Sequence, residues 1–386
     1  VSIRQSHGYS IAPIPTPMLT AKPMRAAIAA LLLLAILAAG HSALWRWTSG
    51  QIERSFAAWT AQRRAQGWII EHGPTARGGW PLSAALSVPG LRIAAVGPNL
   101  PAGLEWNAET LTLRVAAPRL DRLVVEFRGR QRLRIGDTEF PFATDRFEAF
   151  FPTEAGTSLR EGEVVTERLR MNTPAGLLEL REGQLSFGTR STATESEPAL
   201  TVSLALQGLG LPEGFAAQPA LAAFGRQLES LSAEAVMTGP LPGGRDPMTR
   251  AEQWRDGGGT LELRLLAVQW GPVGGGANAT LTLDDRLQPM GTATLRVSGA
   301  DQVIRALAEA GTLPPSSAAA ATTALLLMQR VPESGGPPLV EVPMTLENSR
   351  VTVARIPLAR VDPIAWPARR GPDFSPGEDP TLPPRR

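Results

Sequence analysis

The sequence has no cysteine, three histidines and one tyrosine in 386 residues. The missing cysteine excludes disulfide scaffolds, iron–sulfur clusters, thiolate zinc sites and cysteine nucleophiles. So few histidines leave acid–base and metal chemistry thinly provisioned, and no cofactor is expected. Aromatic residues make up 5% of the chain, too few for the aromatic girdles of a transmembrane β-barrel. Lys22 is the only lysine, so the other 37 basic residues are arginine. The net charge is +2, and residues 1–52 carry Arg4, Lys22, Arg25 and Arg46 with no acid, so the remaining chain sums to −2. A nucleic-acid-binding domain would carry its basic excess in its own fold, so no nucleic-acid partner is expected. Hydrophobic residues at 43% and charged residues at 19% describe a globular chain rather than a disordered one. The length allows about two domains, or one long β-rich one.

One long apolar run is present. Ala26 to Trp45 is 20 residues without a charge, about the length that crosses a bilayer core. Lys22 and Arg25 precede it, and Trp45 and Trp47 follow where an interfacial aromatic belt would lie. Residues 24–47 therefore read as an uncleaved transmembrane anchor. The competing reading is a signal peptide cut after Ala38-Ala39-Gly40. Residues 1–23 read as a disordered leader, and Met18 or Met24 is a candidate initiator. Flanking charges do not orient the anchor, because arginines lie on both sides of it.

Beyond the anchor, Ile52, Phe56 and Trp59 form one apolar helix face that Gly67 would cap. The period then changes to two. Leu82 to Val88, Leu104 to Ala108, Leu111 to Val115 and Leu123 to Phe127 alternate, with a switch from even to odd positions near Thr110 that predicts a bulge or a turn. Further alternating runs centre on Phe147 to Phe151, Leu178 to Phe187, Leu200 to Leu206, Leu231 to Met237, Leu261 to Ala267, Ala277 to Leu283 and Ala293 to Val297. A last hairpin is expected around Asn348 and Ser349. Short helices are expected from Asp246-Pro247 to Gly257, around Val303 to Leu307 before Gly311, and from Ala318 to Gln329. The fold class is mainly β with a few helices: an N-terminal transmembrane helix followed by a large curved antiparallel β-sheet or β-sandwich-like domain. Residues 48–240 form a helix plus a β-rich part, residues 241–361 a second β-rich part with two helices, and residues 362–386, with seven prolines, a disordered tail.

Chemical motifs are sparse. His7 lies in the leader and His41 at the membrane edge, leaving His72 as the one candidate base in the body. It stands without a Gly-x-Ser-x-Gly elbow, and reads as a lone surface histidine. Gly208 to Gly214 has the wrong spacing for a dinucleotide loop. Arg128, Arg130, Arg132 and Arg134 repeat with period two, which on a strand places them on one face, with Gln131, Leu133 and Ile135 on the other. The functional reading is a ladder for anionic lipid headgroups, since guanidinium groups bind phosphate bidentately. The plainer reading is a solvated row paired with Glu126, Asp137, Glu139 or Asp145.

The order of Gly67-Trp68, Gly79-Trp80-Pro81, Leu104-Glu105-Trp106 and Ala108 to Leu113 resembles an uncharacterised family of alphaproteobacterial membrane-anchored proteins, a domain of unknown function, over residues 45–361. There a Gly-aromatic-Pro triplet, usually with Phe, opens an apolar strand. The C-terminal half is also similar to AsmA-like envelope proteins, whose long curved sheets carry an apolar groove and are implicated in lipid movement. The family supplies no catalytic residues. Gly79, Trp80 and Pro81 read as structural: a tight turn, a large core anchor and a strand start. The resemblance implies a non-catalytic inner-membrane protein with one span and its main domain in the periplasm. It would bind lipid or another apolar envelope component. The alternatives are an envelope scaffold that binds other envelope proteins, or more distantly a membrane-tethered hydrolase.

Overall fold

The structure is a computed structural model, and it describes residues 21–366 except 96–102, 154–159, 191, 217–220, 222–223, 244–245, 312, 331–337 and 354–355. The expected leader up to residue 20 and the expected tail from residue 367 lie outside the described residues.

The apolar run and the amphipathic segment after it form one uninterrupted helix, α1 (Ala21–Ala65), about 68 Å long at about 1.5 Å per residue. No proline falls between Met24 and Ala65 to break it, so the two expected helices merge. Its N-terminal half is bare: Leu31 is 69% exposed and Ile36 is 68% exposed. Its C-terminal half buries Ser49, Ile52, Phe56 and Thr60, spaced three and four residues apart so that they share one face. Gly67, in the left-handed region with φ 93°, ends the helix, and the Gly67 N–H donates to the Arg64 carbonyl. The first two strands, β1 (Trp68–Glu71) and β2 (Ala76–Gly78), follow directly.

All eighteen strands belong to one antiparallel sheet. β1 and β2 share one edge of β3 (Ser83–Ala95). From there the chain meanders through β4 (Leu104–Ala116) and β5 (Arg119–Ile135) to the half-length strands β6 (Thr138–Ala143) and β7 (Arg146–Pro152), both of which pair with β5. It continues through β8 (Glu161–Thr173), β9 (Gly176–Thr189) and β10 (Pro198–Gly210). A one-turn helix α2 (Glu213–Ala216) precedes β11 (Gln227–Thr238), and α3 (Pro247–Asp256) precedes β12 (Leu261–Trp270). β13 (Val273–Leu283) and β14 (Pro289–Ser298) follow. Two helices, α4 (Ala300–Glu309) and α5 (Pro315–Met328), and the short β15 (Gln329–Arg330) lead to β16 (Leu339–Glu347), which returns beside β14. The sheet closes with β17 (Arg350–Val353) and β18 (Ile356–Arg360). It runs unbroken past residue 240, where β11 pairs directly with β12.

Local chemistry explains the connections. Asp246 caps α3, its Oδ2 accepting from the Thr249 N–H at 3.0 Å, with Pro247 in the first turn and Gly257 after the last. Asn348 and Ser349 both have positive φ, 50° and 60°, the two-residue turn whose twist matches that of an antiparallel pair. At about 4.8 Å per strand row the sheet extends on the order of 65 Å. Open sheets of more than about ten strands do not stay flat, because each strand is rotated roughly 20–25° from the last.

A line of irregularities crosses half of this sheet at one height. Gly90 in β3 opposes Glu109 in β4, where the even-to-odd switch near Thr110 was expected. Glu109 opposes Gly129 and Arg130 of β5, and beside β5 the break between β6 and β7 falls at Thr144-Asp145. Arg168 in β8 opposes Arg181 in β9, which opposes Gly208 in β10, which opposes Glu229 in β11. Gly90, Gly129, Arg168 and Gly208 all have positive φ. The register shifts by one residue at Gly129-Arg130 in β5 and at Glu229 in β11; such bulges bend a strand and sharpen its twist, and with the left-handed residues between them they line up as a transverse crease. Glu109 stitches it: its Oε2 accepts from the Arg130 N–H at 3.0 Å.

Candidate functional site

Cross-strand partners lie on the same face of a sheet, so the register sorts the side chains into two faces. On one, Leu86 opposes Leu113, which opposes Val125, which opposes Ala149, which opposes Val164 and then Leu185. The series continues from Leu185 to Leu204, Ala233, Leu266, Ala277, Leu295, Val342 and, along β16 by one more pair, Met344 and Val353. Among the residues whose pairing places them on this face from β3 to β17, none is charged. The opposite face carries the ions. Arg92 bonds Glu105 at 2.9 Å and Glu71 at 3.0 Å, Arg122 bonds Glu163 at 2.7 Å, Arg146 bonds Glu148 at 2.7 Å, and Arg296 bonds Glu341 at 2.9 Å.

The uncharged face is covered most tightly at one end. Ile52 and Phe56 of α1, with Trp45 and Trp59 beside them, close over Ile70, Leu86, Val88, Leu91, Leu111 and Leu113 to form the core. Leu86 and Val88 are fully buried. An aromatic group lies next to it, with ring centroids of Trp106 and Phe127 at 4.7 Å and of Phe127 and Phe147 at 4.8 Å. From β8 onward most of the same face is half-buried; Leu185 is 36% exposed, while Leu180 and Val340 are buried. An uncharged surface that begins in a closed core and runs on partly open across the following strands has the chemistry to hold acyl chains.

The arginine row does not keep the expected regularity. Arg128, Arg132 and Arg134 lie on the ionic face, but the bulge opposite Glu109 displaces Arg130 from the series. Gln131, Leu133 and Ile135 do occupy the other face, with Gln131 only 2% exposed. Arg128 pairs with Glu126 at 2.6 Å and Arg132 with Glu139 at 3.7 Å, and Arg134 bonds the Glu105 carboxylate. The hydrogen bond from Arg92 is the main reason the Glu105 carboxyl lies at about 2, with Asn107 and Arg134 adding to the effect. These carboxylates already occupy the guanidinium groups that a phosphate would need.

The Gly79-Trp80-Pro81 triplet corrects one expectation. It is a turn, with the Ser83 N–H donating to the Gly79 carbonyl at 2.8 Å. Gly79 has φ 88°, and a Cβ there would lie 2.6 Å from the Ser83 carbonyl. Trp80, however, is 57% exposed and Leu82 is 84% exposed. The core anchor at this corner is Trp45 of α1, whose Nε1 donates to the carbonyls of Ser83 at 3.0 Å and Gly78 at 3.2 Å. His72 packs its ring on Phe56 at 5.2 Å and donates from Nδ1 to the Gly73 carbonyl at 2.8 Å. Among the described residues, no group of three or more His, Asp or Glu side chains is arranged to hold a metal ion.

The sequence reading passed over one polar feature. On the ionic face the crease opens a cleft of about 280 Å³ lined by Arg168, Arg170, Glu179, Arg181 and Gln227. Arg168 is paired with Asp145 at 2.5 Å. The signal was present only as scattered arginines, which the bulges bring into one row.

The fold and its surface define a class: an antiparallel meander carried on a helix long and apolar enough to cross a membrane, with one uncharged face left partly open. The chain belongs to the family DUF2125, described as an uncharacterized protein conserved in bacteria, whose model matches residues 45–362. No curated protein matches the chain, and no solved structure matches it.

Proposed function

We propose that this protein is a non-catalytic, single-pass inner-membrane protein whose sheet lies in the periplasm and holds the acyl chains of lipid on its uncharged face. The observation that carries the reading is the unbroken series from Leu86 to Val353 without a charge, closed by α1 at its start and mostly half-buried after β7. An apolar surface of this size does not stay bare in water, since each Å² left uncovered costs about 25 cal/mol. The bare half of α1 supports the membrane location.

The test is a pair of photo-crosslinkers in the full chain, expressed in bacteria and irradiated in the membrane. A benzoylphenylalanine at Leu204 projects from the uncharged face, and one at Ser203 from the ionic face. Phospholipid adducts at Leu204 and none at Ser203 are the expected result. Protein adducts at Leu204 in place of lipid would move the protein to the scaffold reading, and no adduct at all would mean that the face is closed.

A further inference from the structure

The uncharged series is not the only apolar surface left bare. Trp80 and Leu82, at 57% and 84% exposure, precede β3, and Leu120, at 59%, sits at the start of β5. These strands are neighbours through β4, and all three residues lie at the same end of them, since Ser83 pairs with Ala116 and Ala116 with Arg119. Three large apolar side chains are therefore presented together at one end of the sheet, outside the face described above.

Their height relative to α1 is fixed by hydrogen bonds. His41 Nε2 donates to the Pro81 carbonyl at 2.6 Å; a carbonyl only accepts, so the proton is on Nε2. One helical turn further on, Trp45 Nε1 donates to Gly78 and Ser83. From Arg25 to Trp45 the helix rises about 30 Å, which matches the hydrocarbon thickness of a bilayer at about 30 Å. With Arg25 at one boundary, the Trp80–Leu82 turn falls at the other. Trp47, 63% exposed, stands on a different side of the helix from Trp45 at the same level. Tryptophan concentrates at this depth, where its ring spans the apolar and headgroup layers. Arg119 and Asp121 flank Leu120 and keep the rim polar.

We propose that Trp80, Leu82 and Leu120 form a second membrane contact, a foot by which the ends of β3 and β5 insert into the bilayer interface beside α1. The proposal rests on α1 being the membrane span, and is separate from acyl-chain binding by the sheet face. The foot explains why the Trp80 ring is left out of the core. It also sets the first strands upright on the membrane, so that the uncharged face starts at the lipid surface.

The chain has no cysteine, so single-cysteine variants need no prior substitutions. Full-length Leu33→Cys, Leu82→Cys, Leu120→Cys and Ser203→Cys would each be labelled with an environment-sensitive fluorophore in phospholipid nanodiscs. Leu82 and Leu120 are exposed, so the fold does not depend on them. The expected result is blue-shifted emission at positions 82 and 120, quenched more by a shallow doxyl lipid than by a deep one. Leu33→Cys should be quenched more by the deep lipid, and Ser203→Cys should remain aqueous. Aqueous emission at 82 and 120 with a deep signal at 33 would overturn the foot and leave the span standing. Aqueous emission at 33 would overturn both.

Discussion

Two leucines on the same face of the sheet provide the sharpest test of where that face is covered. Leu86 is fully buried under α1, while Leu185, five strand rows further along the paired series, is 36% exposed. Truncating Leu86 to alanine leaves a closed cavity among Val88, Leu113 and Ile52, and large-to-small changes of that kind cost about 3–5 kcal/mol. Truncating Leu185 removes a side chain already more than a third in solvent and leaves an open dent, so the lost transfer energy is about 1 kcal/mol. For a domain of this size, 1 kcal/mol moves the midpoint by roughly 2–4 °C. Leu86→Ala should therefore lower Tm by about 10 °C and Leu185→Ala by about 3 °C. The assay is thermal unfolding of the full chain in nanodiscs, followed by circular dichroism at the β-sheet band. Equal losses in the two variants would refute the argument, because they would mean that the face beyond β7 is covered as tightly as the core.

Further outcomes follow from single sites. Glu105 has its carboxyl lowered to about 2 from 4.5, first by Arg92, so its contribution is complete above pH 4.5 and is lost as pH falls toward 2; Glu105→Gln should flatten the acid limb of a stability–pH curve in that interval, and an unchanged limb would contradict it. Gly129→Ala places a Cβ 2.5 Å from Glu109 Oε2 at φ 79° and should cost about 1–3 kcal/mol in chemical denaturation. Gln131 is buried with its Oε1 unpartnered, while its Nε2 donates to the Arg128 carbonyl at 3.4 Å; removing the unsatisfied acceptor recovers about 1 kcal/mol and losing the long bond costs about as much, so Gln131→Met should leave the stability within about 1 kcal/mol of the parent, and a drop well beyond that would contradict it. Because Arg128 and Arg132 are exposed and paired with carboxylates, Arg128→Ala and Arg132→Ala should leave the amount of co-purified anionic lipid unchanged, and a loss would restore the phosphate ladder.

Single-strand periodicity carried much of the fold. The parity change between Ala108 and Leu111 marked a bulge that the structure places at Glu109. Asp246-Pro247 and Gly257 bracket α3 as capping chemistry requires. What periodicity cannot supply is the relation between strands. One bulge is visible in one strand, but only pairing reveals that Gly90, Glu109, Gly129, Arg168, Gly208 and their partners share a line. The arginine row failed for the same reason. Counting by twos assumes a regular strand, and Gly129 in the left-handed region breaks the count before Arg130. Trp80 misled because a large aromatic before a strand is most simply read as core; the corner was already filled by Trp45, 35 residues earlier in the sequence.

The crease and the uncharged face belong to one physical argument. A sheet with one apolar face ordinarily buries it against a second layer; here α1 supplies that layer over the first strands, and much of the face beyond is only half-buried. A flat, uncovered remainder would be a template for stacking with another copy. Two features oppose that outcome. The ionic face is tied strand to strand by arginine–carboxylate pairs from Arg92 to Arg296, and this charge disfavours stacking through that side. The bulges in β5 and β11 and the left-handed residues aligned with them interrupt the strands from β3 to β11 at a common height, so the apolar side offers no plane for a second flat sheet to match. Flexible acyl chains need no such plane, because their torsions adapt to a bent surface. The same bending device that denies the face to a rigid partner is thus compatible with the lipid binding proposed above.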